Sequence, residues 1–218
     1  MRRFGRVLSV AALVTTAAAA ALPAQQRLTE RSDSWQWYVG PQVGVMLFET
    51  PSQSRGGIPV IGGHLLVMAR SGGLIIGYEE GIGKDETSAM PSSSGTPIAV
   101  TFNNIRRYSG TLAVFPWSGS IQPHLGVGFG IQHVVNPNVG GVFDSPAAAA
   151  AAQREAEERA GAAVMTGMVG LQLRPTSRVV FYGNYQIATA AGGKLILGST
   201  HTLSAGLRIG LGRWKQEW

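Results

Sequence analysis

The chain has 218 residues, 44% hydrophobic and only 14% charged, with 30 glycines, 5 tryptophans and no cysteine. Without cysteine there is no disulfide scaffold, thiolate metal site or cysteine nucleophile, and the low charge and mean hydropathy of +0.11 argue against a disordered chain. A formal charge of +6 and a pI near 10.2 raise a nucleic-acid reading, which the N-terminus largely removes.

The chain opens with Arg2, Arg3 and Arg6, runs through an apolar stretch at 7–21 and then presents Leu22, Pro23, Ala24 and Gln25. A basic start, an apolar middle and a small-residue end predict a secretory signal peptide at 1–24, ahead of a mature domain at 25–218. The apolar stretch is shorter than the ~20 residues a spanning helix needs. Losing the three arginines lowers the formal charge to +3, so no nucleic-acid partner is expected.

No later stretch is apolar for 18 residues. What recurs is alternation with period two, in eight segments at about 35–48, 58–70, 74–83, 98–115, 121–135, 163–174, 178–188 and 195–212. The fifth shows it plainly: Ile121, Pro123, Leu125, Val127, Phe129 and Ile131 share one face, while Gln122, His124, Gly126, Gly128, Gly130 and Gln132 share the other. Each segment reaches the ~9–11 residues with which a tilted strand crosses a bilayer.

The connections alternate in length, short at 71–73, 117–120 and 175–177, longer at 49–57, 84–97, 136–162 and 189–194. Within 136–162, Ser145 before Pro146, a run of alanines, a charged stretch and Gly161 predict a capped helix. Such a helix is a surface contact element or a low-complexity insertion tolerated in an exposed loop.

Turn parity tests the alternation, because paired residues face the same side of a sheet. A two-residue Gly72-Gly73 turn sets Ser71 opposite Leu74, Leu66 opposite Glu79 and His64 opposite Gly81. The next short turns set Phe115 opposite Gln122 and Arg174 opposite Arg178. All these pairs agree with the faces read from alternation. The non-apolar face is mostly Gly, Gln, Asn, Thr and Ser, which suits the crowded interior of a small barrel; a soluble barrel would carry its charges outside. Trp35, Trp37, Trp117, Trp214 and Trp218 fall at the end with the short turns, while Tyr78, Tyr108 and Tyr185 lie further along the apolar face, as in interfacial aromatic girdles.

On these features the chain resembles the small eight-stranded outer-membrane barrels of the OmpA and OmpX type. In the last segment, Ser204, Gly206, Ile209 and Leu211 look like the polar-x-Gly-x-x-apolar-x-apolar signal that barrel assembly machinery recognises in that family. Family strands usually end at the terminal aromatic residue, whereas here Leu211 is followed by a tail ending in Trp218.

The interior face carries His64, Arg70, Glu79, Arg107, His124, Arg174 and Arg208. An unpaired buried carboxylate is costly, so Glu79 is expected to pair with one of these arginines, Arg208 or Arg70 first. Eight strands leave an interior just wide enough for side chains to fill, so no open diffusion pore is expected. On the apolar face near the outer end, Ser199 and His201 form the one nearby serine-histidine pair, in the reverse of the His-x-Ser order of the lipid A deacylases and with no evident carboxylate partner. It reads as a polar strand end among lipid headgroups, as does His133. Lys84, Asp85 and Glu86 have no metal-site spacing.

The expectation is an all-β protein: an eight-stranded antiparallel up-and-down transmembrane β-barrel with a short helix in one extracellular loop. It is exported to the outer membrane and has a structural or surface-interaction role, with no enzymatic activity, cofactor or metal. Its expected partners are outer-membrane lipid, lipopolysaccharide and the barrel assembly machinery. The alternatives are a lipid-modifying outer-membrane barrel enzyme and a soluble periplasmic barrel that binds an apolar ligand.

Overall fold

The computed structural model describes residues 34–54, 56–91, 97–176, 178–190 and 192–215. The signal peptide expected at 1–24 and Trp218 lie outside the described residues, and of Trp214 the backbone alone is described. The elements in chain order are β1 (Ser34–Glu49), β2 (Gly56–Ala69), β3 (Gly72–Met90), β4 (Ile98–Val114), β5 (Ile121–Val135), β6 (Asn138–Gly140), α1 (Pro146–Ala160), β7 (Gly161–Leu173), β8 (Val179–Ala190) and β9 (Leu197–Lys215). Eight strands pair antiparallel with their chain neighbours, and β1 pairs with β9, so the sheet closes into a barrel. The short β6 lies outside this ring and pairs with the loop end of β4. No helix among the described residues is long and apolar enough to cross a membrane.

Alternation sorts the faces as the sequence predicts. Val127 and Phe129 are 70% and 71% exposed, whereas His124 and Gln132 are buried. Trp35, Trp37 and Trp117 stand exposed at the short-turn end, and Tyr108 and Tyr185 stand on the outward face above them.

The registers differ from those expected. The first short turn is at Arg70 and Ser71, with Ala69 opposite Gly72, and Arg70 takes the left-handed φ of 54°. Leu66 therefore meets Ile75, and His64 meets Gly77. This register keeps apolar Leu66 beside apolar Ile75 and takes Glu79 up to Gly62. It also moves Arg70 out of the interior to the exposed turn, which corrects its assignment to the inward cluster. In the second hairpin Val114 faces Leu125, and in the third Leu173 faces Phe181. Phe115 is thus not opposite Gln122, and Arg174 and Arg178 do not oppose each other. The first register is four residues from the expected one and the other two are two residues from it, even-numbered shifts that leave every side chain on the same face.

Two segments differ from their predicted bounds. The β3–β4 hairpin continues beyond an irregularity between Ile82 and Glu86 until Met90 pairs with Ile98. At the other end of the chain, Leu195 and Ile196 precede β9 and are buried.

The interior is filled at three levels. Near the short turns, Tyr38, Leu66, Met68, Ile75, Phe115 and Val180 belong to one apolar cluster. A polar layer occupies the middle. At the long-loop end, inward residues including Met46, Phe48, Ile58 and Phe102 form a second apolar cluster with Leu195, Ile196 and Ala152, Ala156 and Ala160 of α1.

Helix α1 is capped by Ser145, whose side chain accepts from the amide of Ala148, and Pro146 occupies its first turn. Its alanines at four-residue intervals bury a smooth stripe against the mouth. Leu195 N donates to Arg159 O, and Lys194 Nζ donates to Glu158 O, tying the last loop to the helix. The helix thus stoppers the barrel and is not a free insertion. Gly161 follows it in extended conformation, with φ −102°, and leads directly into β7.

Close strand approach requires glycine at several inward positions, Gly40 and Gly128 among them. A Cβ on Gly40 would lie 1.8 Å from Leu207 O, and one on Gly128 would lie 2.1 Å from Gly110 O.

Candidate functional site

Inward alternation on β3 and β4 sets Glu79 directly opposite Arg107. Arg107 Nε donates to Glu79 Oε2 at 2.7 Å, and Nη2 of the same guanidinium donates to the same oxygen. Gln42 Nε2 donates to Glu79 Oε1 at 2.8 Å, so both carboxylate oxygens are satisfied. Arg107 reaches across the lumen as well, donating to Thr202 Oγ1 at 2.7 Å and Gln186 Oε1 at 3.3 Å. Arg107 is fully buried and Glu79 is 4% exposed, so solvent screens this pair little. The partner of Glu79 is therefore Arg107, and not Arg208 or Arg70: cross-strand neighbours reach each other without spanning the lumen.

Arg208, also fully buried, has no carboxylate partner among the described residues. Its Nε donates to His64 Nε2 at 2.6 Å, its Nη1 donates to Gln172 Oε1 at 2.7 Å, and its guanidinium carbon lies 4.1 Å from the Tyr182 ring centre. Because His64 Nε2 accepts this bond, its proton sits on Nδ1, which faces Gln42 Oε1 at 3.3 Å. Gln42 thereby joins the two arginine networks through His64 and Glu79.

His124 Nε2 lies 2.8 Å from Asn184 Oδ1, in a separate contact. Arg174, nearer the short turns, donates to Tyr38 Oη at 2.6 Å and to Gln36 Oε1 at 3.1 Å. The structure thus gathers His64, Glu79, Arg107 and Arg208, leaves His124 and Arg174 at the margins and excludes Arg70. Gln42, Gln172, Gln186, Thr202 and Tyr182 were not singled out in the sequence. Their signal was position alone, as polar residues on inward parity.

The outward face carries two polar groups near the long-loop end. On β3 and β4, Glu80 faces Arg106, which in turn faces His133 of β5. Glu80 Oε1 accepts from Arg106 Nε at 3.1 Å and from Asn104 Nδ2 at 2.9 Å, and Tyr78 Oη donates to Oε2 at 2.5 Å. On β8 and β9, Tyr185 Oη lies 2.6 Å from His201 Nδ1, and Ser199 Oγ lies 3.2 Å from Nε2. On the last strand, Ser204 is buried, while Ile209 and Leu211 are exposed. Gly206 sits against Tyr182 and Pro41, where a Cβ would be 2.3 Å from Pro41 O.

No protein-family profile matches the chain, and no curated protein matches its sequence. Among solved structures it is similar to Neisserial surface protein A, at 13% identity and a TM-score of 0.53, covering 79% of this chain and 96% of that one. It also matches the N-terminal β-barrel domain of Pseudomonas aeruginosa OprF, at 11% identity and a TM-score of 0.48, with 83% and 98% covered. A third match is Ail, the attachment invasion locus protein of Yersinia pestis, at 12% identity and a TM-score of 0.40, with 82% and 100% covered. The fold is that of the small eight-stranded outer-membrane barrels.

Proposed function

We propose that this chain is a sealed outer-membrane barrel with a structural or surface-interaction role, exported by residues 1–24 and folded from 25–218. The observation that carries this reading is the filled interior. A buried ion-pair network lies between two apolar clusters, one of them closed by α1, so that side chains occupy the lumen at three levels among the described residues. The exposed apolar belt, with tryptophans at its short-turn rim, supports insertion in a bilayer. In this reading lipid and lipopolysaccharide surround the belt, and the assembly machinery recognises Ser204, Gly206, Ile209 and Leu211.

Because the chain has no cysteine, single thiols report orientation without background. Val142, fully exposed beside the long loops, and Trp117, exposed at the short-turn end, are the reporting positions. In intact cells a membrane-impermeant maleimide is expected to label Val142→Cys and not Trp117→Cys. The reverse pattern, or recovery of the protein in the soluble fraction, would overturn the reading.

A lipid-modifying activity is the second reading, favoured by the Ser199–His201–Tyr185 chain. If Ser199 donates to His201 Nε2, the opposite Nδ1–H donates to Tyr185 Oη, which is a nucleophile, base and orienting group in order. Release of fatty acid from lipid A by the wild type, lost in Ser199→Ala, would establish it; no release by the wild type would exclude it.

A further inference from the structure

A guanidinium taken out of water without a counter-charge is among the most expensive groups a fold can bury. Among the described residues the lumen buries two arginines, Arg107 and Arg208, and one carboxylate, Glu79, which Arg107 claims. Arg208 is left with neutral partners: His64 at Nε, Gln172 at Nη1 and the face of Tyr182. Its Nη2 is buried from solvent and has no hydrogen-bond partner. Buried donors are rarely left in that state, least of all charged ones.

A second unpartnered atom lies close by. Gln172 and Tyr182, which hold Arg208, face each other across the β7–β8 ladder, and the next inward pair toward the long loops is Gly170 and Asn184. His124 sits on that pair. Its ring lies against Gly170, where a Cβ would be 2.6 Å from His124 Cε1, and its Nε2 meets Asn184 Oδ1 at 2.8 Å. The two ladder pairs are ~7 Å apart, two residues at ~3.3 Å each, so Arg208 and His124 are within electrostatic range of each other. His124 Nδ1 is buried and has no partner. Asn184 can present either end of its amide to Nε2; with its Nδ2 donating there, the ring proton passes to Nδ1, which becomes a second donor.

We propose that Arg208 Nη2 and His124 Nδ1 hold one small inorganic anion, of halide size, inside the barrel. Charge selects an anion over water. The described lumen encloses one more arginine than carboxylates, and a water molecule would satisfy the donors while leaving that charge uncompensated. The size follows from packing, because side chains fill the lumen on both sides of the polar layer. The anion is enclosed as the barrel closes, so the salt present during refolding decides its occupancy.

The test is urea unfolding of barrel refolded in sodium chloride or, at matched ionic strength, in sodium gluconate, whose anion is too large for the site. The midpoint is expected to rise with chloride and to stay level in gluconate. Above the dissociation constant, each tenfold step in chloride is expected to raise the folded-to-unfolded ratio about tenfold. Gln172→Glu sets a carboxylate against Nη1 of Arg208 and is expected to abolish the chloride dependence. Equal midpoints in the two salts, as a buried water would give, or an unchanged dependence in Gln172→Glu, would overturn the proposal. Should heat-dependent gel mobility show that Gln172→Glu does not fold, wild-type crystals grown in sodium bromide decide the matter. One anomalous peak within hydrogen-bonding distance of Arg208 Nη2 is then expected, and the lack of a peak there overturns the proposal.

Discussion

Glu79 and Arg107 face each other across the β3–β4 ladder and form an ion pair shut off from solvent. Removing one member of such a pair strands a buried charge, and this costs ~3–5 kcal/mol, while replacing both with apolar groups of similar volume is often neutral. Glu79→Ala is therefore expected to lose ~3–5 kcal/mol in urea unfolding from lipid vesicles, and Glu79→Leu/Arg107→Met much less. A double variant as unstable as the single one would show that the remaining contacts of Arg107, to Thr202 and Gln186, carry the stability instead.

The outward face is tested at Val127, which is 70% exposed and points away from the lumen. Val127→Arg is expected to destabilise the vesicle-inserted barrel by ~2–4 kcal/mol, the range for a charge at the bilayer midplane. Val127→Leu is expected to be near neutral in the same measurement. Equal tolerance of both would mean that this face meets water.

The faces of the strands were legible in the sequence because a two-residue period survives every detail of the turns. Register was not, for the same reason: a slip of four residues moves Glu79 from opposite Leu66 to opposite Gly62 and leaves all faces unchanged. Only the observed register exposed Arg70 in a turn. Most of the polar layer could be named from inward parity, yet the partner of Glu79 depended on which residue of β4 lay across from it. The stopper was less visible still. Inward apolar residues such as Met46 and Phe48 interrupt the polar interior pattern, and alanines in α1 carry no sign of the surface they cover.

Glycine at position 40 follows from strand approach. A Cβ there would sit 1.8 Å from Leu207 O, whereas one on Gly110 would meet nothing within 4 Å. Gly40→Ala is expected to cost at least ~1–3 kcal/mol, the range for overpacking, or to block refolding as judged by heat-dependent gel mobility. Gly110→Ala is expected to refold like the wild type. Normal stability of Gly40→Ala would contradict the observed packing of β1 on β9.

The stopper is tested by Ala156→Glu. Ala156 is fully buried among apolar groups, so a carboxylate there has no partner and is expected to lift α1 from the mouth. Trypsin added to proteoliposomes should then cut at Arg154 or Arg159 many times faster, while the membrane-embedded strands stay protected. Unchanged cleavage would mean that the helix does not depend on this contact.

The central claim, a barrel sealed along its length, is tested most directly by planar-bilayer recording of the purified, refolded protein. The expected result is no steady conductance above background from protein whose gel shift shows it to be folded. Stable, stepwise ion conductance from the same preparation would contradict the sealed interior and the function proposed from it.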